Sequence, residues 1–455
     1  MNLVADLLCL LACLTLVTCD RVYVHPFNLF SFNESDCEKL EKLVQEGKTV
    51  VPVSIESQTT PEYEGGMNDN ELEAPSLSTW GEKERSYLSD LVYVLGMRFY
   101  SALQEAQRGQ NVLLSPTSLY SSLVSFYLGA SNQTALDLQS LLGFVPPSGN
   151  PDCTSTAVGS NFLSSLRTIE RLVKSGDKEL LFSKTLSLFC APGIALFQLF
   201  MEHLLPSADA FYARAVDFAN PGEAVKQINA FVEAKGSLFV EGREESISLF
   251  LICFSANVKQ AFLLKEPQEF WVDSDTKALV PMLSITGTFR YQTDASGAFS
   301  AVEVPLSRTA LLVLLQPVGG SDLEHLESQE SLQTSAWLQH LAPREIKLKL
   351  PALTLEDSSD LQELLADMKM PALLGKGADF SKISNDSLTV GKVINKAFFK
   401  LASDGTDQPE DPAAQKEDGV YLDVTLNKPF LFAVFEKQSR AMLFLGRVVN
   451  PLHED

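Results

Sequence analysis

Hydrophobic and polar positions alternate along this chain with different periods in different places. From Ser86 onward, Leu88, Leu91, Val92, Leu95 and Phe99 recur at the spacing of one helix face. A short strand is expected at Asn111–Ser115, and Ser115-Pro116 opens a second helix that Gly129 ends. Thr134–Leu142 reads as a third helix stopped by Gly143, followed by a loop over Val145–Cys153 and a longer amphipathic helix over 155–174. Strand patterns then take over. Leu180–Cys190 is long and apolar, and Ile247–Phe254 is apolar throughout, as a strand covered on both faces would be. The run Leu186–Met201 is broken by Pro192, Gly193 and Gln198, which favours a buried strand plus helix over a membrane span. Pro221–Ala234 is a further helix. Leu283–Tyr291, Ala298–Pro305 and Ala310–Pro317 are strands, and Ile346–Leu350 alternates so that one face meets solvent. A helix at Asp360–Met368 precedes strands at Tyr421–Leu426, Phe430–Phe435 and Met442–Val449. Helices first and mostly strands later describe one large α+β domain over 86–455.

The N-terminal part differs. Residues 1–19 read as a secretory signal peptide: Leu7–Val17 has the length of an h-region, with a cut expected between Cys19 and Asp20. The leader lacks Lys and Arg, and Asp6 sits in its n-region. Asp20–Leu29 then packs Asp20, Arg21, Val22, Tyr23, Val24, His25, Pro26, Phe27, Asn28 and Leu29 into a short stretch. Val22, Tyr23 and Val24 favour extended backbone, and Pro26 biases His25 away from helix. An edge strand added to a sheet and a stored peptide both fit these residues. Residues 30–85 form a tail and linker. Cys37 to about Val53 has a helical pattern in Leu40, Leu43 and Val44, and 54–85 is polar, acidic and rich in Gly and Pro.

Net charge is −22 with a pI near 4.7. Such a surface repels phosphate backbones and anionic membranes, so nucleic acid is a poor partner and no membrane anchor is expected. Hydrophobic content of 45% supports a substantial core. Of seven cysteines, Cys9, Cys13 and Cys19 leave with the leader, and Cys37, Cys153, Cys190 and Cys253 remain. Secretion makes disulfides plausible, with three full pairings open. Cys190 and Cys253 lie in apolar strands where a buried thiol is common, while Cys37 and Cys153 lie in polar surroundings. A Cys37–Cys153 bridge is therefore expected. Closing a loop on the order of a hundred residues, it is worth roughly 4–5 kcal/mol in the chain-entropy model. Sequons stand at Asn33, Asn132 and Asn385.

Enzyme chemistry finds no footing. The five histidines, His25, His203, His325, His340 and His453, match no metal-ligand spacing. There is no G-x-S-x-G and no phosphate-cradling glycine motif. No catalytic residue, metal or cofactor is assigned.

Several segments together resemble the serpins. They are Asn111 to Pro116, Leu128-Gly129-Ala130, Leu141 to Phe144, Val280-Pro281-Met282, Ala378 to Ser381, Asn427 to Phe432 and Phe444 to Val448. They are spread over 86–452, about four-fifths of the chain. The resemblance implies the serpin fold: three β-sheets, about nine helices and a reactive-centre-like loop near the C-terminus, here preceded by an extended tail. It narrows further at the N-terminus. Asp20–Phe27 resembles angiotensin II in its Val-containing form, and Asp20–Leu29 resembles angiotensin I. In the members that carry this peptide, the aspartic protease renin cuts after the tenth residue, here Leu29–Phe30. Angiotensin-converting enzyme then removes the dipeptide that here is Asn28-Leu29. The resemblance implies that the octapeptide ending at Phe27 would act on a vascular receptor, raising blood pressure and governing salt balance. The same members have a tail disulfide matching Cys37–Cys153 and a tail sequon matching Asn33. Asn28 departs from the His typical of mammalian members.

A serpin body leaves two functions open, hormone precursor or inhibitor of a serine protease, and fold does not decide between them. An inhibitory serpin inserts its cleaved loop into the main sheet as a new strand. Here the loop carries Pro409 and Pro412, which lack the N–H of a central strand. Burying Glu410 or Asp411 unpaired would cost several kcal/mol each. The loop is expected not to insert, which favours the precursor.

Overall fold

The computed structural model describes residues 48–57, 82–144, 151–174, 180–234, 247–258, 261–293, 299–318, 322–328, 338, 340–370, 373–386, 388–403 and 421–452. Two short strands come first, β1 (Thr49–Val50) and β2 (Val53–Ser54). The helical part follows: α1 (Glu82–Ala106), β3 (Val112–Leu114), α2 (Pro116–Gly129), α3 (Asn132–Leu142) and α4 (Pro151–Lys174). The middle of the chain gives β4 (Leu180–Cys190), β5 (Leu196–Phe197), α5 (Gln198–Leu204), β6 (Ala210–Ala215), α6 (Pro221–Ala234), β7 (Ile247–Val258) and β8 (Phe262–Leu263). The hairpin β9 (Gln268–Trp271) and β10 (Lys277–Val280) precedes β11 (Met282–Thr293), β12 (Phe299–Pro305), β13 (Ala310–Pro317) and α7 (Leu323–Glu327). The last third is β14 (Ala342–Pro351), β15 (Leu353–Asp360), α8 (Leu361–Asp367), β16 (Lys392–Ser403), β17 (Leu422–Thr425), β18 (Phe430–Glu436) and β19 (Met442–Val448).

Local chemistry sets the helix ends where the residues demanded it. Ser115 caps α2, its hydroxyl accepting the Ser118 N–H, and Pro116 takes the first turn where a missing N–H is harmless. Gly143 ends α3 at φ 80°, the left-handed conformation glycine adopts without strain. Helix α2 is buried along its whole length. Its Ser122 and Ser125 hydroxyls donate back to the carbonyls of Ser118 and Ser121, so that no water is needed there.

Around α2 stand two large sheets. One runs β15-β16-β7-β4-β6-β2, and the other β17-β14-β11-β12-β13-β18-β19-β3 with β8 attached to β11. The α+β class and the serpin fold are as the sequence implied. The described residues hold eight α-helices and four hydrogen-bonded sheets, two of them two-stranded, rather than about nine helices and three sheets. The two-stranded sheets β1-β5 and β9-β10 raise the count, while β11 lowers the number of large sheets to two. That strand spans 12 residues, pairs β14 along Met282–Tyr291 and still reaches β12 with Arg290–Thr293, so it joins separate strand groups into one ladder.

Three boundaries also differ from the sequence reading. The helical pattern carried to Val53 gives way to β1 and β2, because Thr49–Ser54 finds partners far away in the chain. Helix α1 starts at Glu82 rather than Ser86. The loop expected to run to Cys153 ends at Pro151, which suits the first turn of α4. Among the described residues no helix is long and apolar enough to cross a membrane.

Candidate functional site: the tail anchor and the closed sheet

The predicted peptide Asp20–Leu29, the bond Leu29–Phe30, Asn33 and Cys37 all lie outside the described residues, as does the loop 404–420 with its prolines. What the structure gives is the framework at each attachment point.

The tail joins the body at Lys48. The Lys48 carbonyl accepts the Gln198 N–H at 2.9 Å, and β1 pairs antiparallel with β5, Thr49 opposite Phe197 and Val50 opposite Leu196. Pro52 has no N–H to leave unsatisfied as the chain passes to a second partner. There β2 adds a parallel edge strand to β6, Val53 opposite Arg214 and Ser54 opposite Ala215, continued by the Ile55 N–H to the Ala215 carbonyl. Ile55 is buried in a small apolar cluster with Phe189, Val216, Phe218, Ile228 and Val232 under α6. The Gln227 amide donates to Glu56 at 2.9 Å. Backbone pairing and one aliphatic anchor thus hold the tail against the edge of the six-stranded sheet.

At the other attachment, β16 leads into the loop. Strand β16 pairs directly and in parallel with β7 over 12 residues, from Lys392–Ile247 to Ser403–Val258. No gap for an extra strand exists between them. Side chains fasten β16: the Ser122 hydroxyl on α2 lies 2.8 Å from the Asn395 side-chain amide, and Lys396 pairs with Glu356 on β15 at 2.6 Å. After the loop, β17 pairs in parallel with β14, Ile346 opposite Leu422.

The segment Ala378 to Ser381 proves to be a clamp on α3. Asp379 accepts the Ser131 N–H on its carbonyl and the Asn132 amide on its carboxylate, and its own N–H donates to Thr134. The Asn132 hydrogen bond, ahead of those from Ser381, holds the Asp379 carboxyl below its usual range. The sequon Asn132 is exposed but engaged at 2.8 Å, with a φ of 50° that Asn tolerates. Asn385 is exposed next to the turn made by Ser384 and Asp386. Cys190 is a buried free thiol whose pKa burial pushes up to about 12. The side chains of Cys153 and Cys253 are outside the described residues.

Sequence reasoning missed two buried charge clusters. Lys184, in the apolar strand β4, pairs with Glu170 on α4 at 2.9 Å, both essentially without solvent contact. Asp209 beside them takes Arg167 at 2.8 Å, the Lys174 ammonium and the Lys184 N–H. Burial alone would raise the Asp209 carboxyl, but these partners outweigh it and lower it. The second cluster joins β19 to α1 and α7. Arg447 donates to the Gln110 carbonyl at 2.9 Å, to that of Gln107, and to Glu327 at 3.2 Å, while Tyr100 donates its hydroxyl to Glu327. Burial dominates here and raises the Glu327 carboxyl despite Tyr100 and Arg447. A cavity of about 970 Å³ opens beside this cluster, near Arg108, Trp271 and Lys428. Lys277 stands 4.0 Å from the Trp271 ring, a cation–π pair. Among the described residues no group of three His, Cys, Asp or Glu side chains is placed to hold a metal ion.

The family model for serpin (serine protease inhibitor) matches residues 91–451. Human angiotensinogen is 38% identical over 99% of this chain and 98% of its own length. Angiotensinogen of Bos taurus is 39% identical over the same shares. Among solved structures, uncleaved ovalbumin superposes with a TM-score of 0.68 at 21% identity, covering 80% of this chain and 100% of that one, which speaks to the fold alone. The chain belongs to the serpin family, in its angiotensinogen branch.

Proposed function

We propose that this chain is the secreted precursor of a vasoactive peptide, with the signal peptide removed between Cys19 and Asp20. Relatives in the branch support a hormone-precursor role. In the finer reading, a renin-like aspartic protease cuts Leu29–Phe30 and frees Asp20–Leu29. Angiotensin-converting enzyme then removes Asn28-Leu29, and the product ending at Phe27 meets its receptor with Arg21, Tyr23, His25 and the new carboxylate. The observation that carries this is the reach of the likeness. It covers 99% of the chain, whereas the serpin domain proper begins only at residue 91. The apolar pair Leu29–Phe30 suits the hydrophobic pockets of such a protease, and an extended tail suits a cleft that binds substrate as a strand. In the same reading Cys37 bridges Cys153, and Asn33, Asn132 and Asn385 are glycan acceptors.

The competing reading, inhibition of a serine protease, requires the loop after β16 to enter between β16 and β7. That would break the whole 12-residue ladder, and the entering strand would bring Pro409, Glu410, Asp411 and Pro412 into the sheet. Incubation with renin and, separately, with trypsin-like serine proteases distinguishes the two. A released peptide ending at Leu29 is expected by mass spectrometry. An SDS-stable complex with a serine protease, or no such peptide, would overturn the proposal.

A further inference from the structure

The cavity of about 970 Å³ at the C-terminal end of α1 has no part in the precursor reading. Sites for small organic ligands run from about 300 to 1,000 Å³, mostly apolar with a few convergent polar groups. Here Trp271, Pro317, Leu323, Pro429 and Val449 supply the apolar surface, and Arg108 and Lys428 supply cations.

Contacts remote in sequence bring the two cations to one cavity. Arg108 sits in the turn that ends α1, where Gly109 takes a φ of 75°. Arg447 holds that turn from β19 by donating to the Gln107 and Gln110 carbonyls. Lys428 follows Asn427, whose carbonyl accepts the Trp271 N–H at 2.8 Å, so backbone pairing sets it beside the end of β9. Among the described residues neither the Arg108 nor the Lys428 side chain has an ion-pair or hydrogen-bond partner, in a chain whose net charge is −22.

Most acids lining the same cavity are engaged. Asp273 accepts the N–H groups of Asp275 and Thr276 at 2.8 and 2.7 Å, and Asp322 accepts that of His325 at 2.8 Å. Glu327 is taken by Tyr100 and Arg447. Glu105 and Glu324 remain, both exposed. Two unpaired cations beside apolar surface suit an acid head group on a hydrocarbon body. Charge-assisted hydrogen bonds hold the head, and the indole of Trp271 receives the body.

We propose that this cavity binds an amphipathic organic anion, with Arg108 and Lys428 on its acid group and Trp271, Leu323 and Pro429 against its apolar part. The site is independent of whether a peptide is released from the N-terminus.

Calorimetric titration of the full chain tests it with three probes of one chain length, dodecanoate, dodecanol and dodecylammonium. Dodecanoate should saturate a single site and bind about tenfold or more tightly than either other probe. Arg108→Gln and Lys428→Gln should each weaken it by about tenfold, and Trp271→Ala should weaken dodecanoate and dodecanol alike. Lys400→Gln, the same charge change at an exposed position off the cavity, should bind as the natural chain does. Urea midpoints report whether each variant stays folded. No saturable dodecanoate binding, tighter binding of the amine through Glu105 and Glu324, or equal losses in Lys400→Gln and Arg108→Gln would overturn the proposal.

Discussion

Replacing Arg447 by Met removes the cation from a buried pair while roughly keeping its volume. The Glu327 side chain is 1% exposed and that of Arg447 5%, so solvent screens the pair very little. Breaking such a pair from one side costs about 3–5 kcal/mol, because the remaining charge stays buried. Tyr100 still donates to Glu327, which places the expected loss near the low end, about 3 kcal/mol. The freed carbonyls of Gln107 and Gln110 lie at the partly exposed end of α1, where water can take over. The pH dependence has a definite sign. Glu327 is a carboxyl raised in the folded state, and losing Arg447 raises it further. A raised acid is destabilising once it must ionise, so stability falls as pH climbs from the unfolded value, about 4.3, through the folded one. The cost of Arg447→Met should therefore be largest near pH 8 and shrink toward pH 5. Urea unfolding at both values measures it, and Glu327→Gln added to Arg447→Met should restore most of the loss at pH 8. A cost below about 1 kcal/mol at pH 8, or no recovery in the double variant, would refute the reasoning.

Two further outcomes follow from other sites. Asp209→Asn should cost about 1–3 kcal/mol at neutral pH, and the natural chain should lose that advantage on acidification. A lowered carboxyl contributes stability above its unfolded value and loses it as pH falls through the folded one, so urea midpoints of the two proteins should converge at the acid end. Gly446→Ala should cost about 1–3 kcal/mol or more, since its Cβ would meet the Val112 carbonyl at 2.5 Å and the Phe432 ring at 2.7 Å, and the first is backbone. A melting temperature unchanged by this substitution would show that β19 and β3 can part at no cost.

Elements built from local signals were legible in the sequence. Helix α2 begins at the Ser115-Pro116 cap and ends at Gly129, and α3 stops at Gly143, because capping chemistry is written in adjacent residues. Strands β1 and β2 were not legible. They are two residues each, and their stability comes from Phe197 and Arg214, more than a hundred positions away. Strands β6, β15 and β16 were likewise missed; β16 is buried without a break from Val393 to Ala397, polar Asn395 and Lys396 included, so no clean alternation marks it. Lys184 shows a different limit. The strand around it gave no hint of the charge beneath the sheet, and its fold partners Glu170 and Ser121 make a lysine tolerable there. The glycine of the Phe444-Leu445-Gly446 segment was recognisable as part of a family pattern. Its cause, the close approach of the Val112 carbonyl, needed three dimensions.

The strap through β1, β2 and Ile55 lies downstream of Leu29–Phe30, so cutting that bond leaves it in place. Four interstrand steps of about 4.8 Å separate β2 from β16 across the sheet, roughly 19 Å in all. In the proposed processing, the β2–β6 pairing and the apolar cluster around Ile55 stay on the body side of the cut. In that reading the body left behind keeps this strap, one copy for every peptide set free. Its abundance relative to the uncut chain would then be a stoichiometric record of past processing, outlasting the short peptide itself.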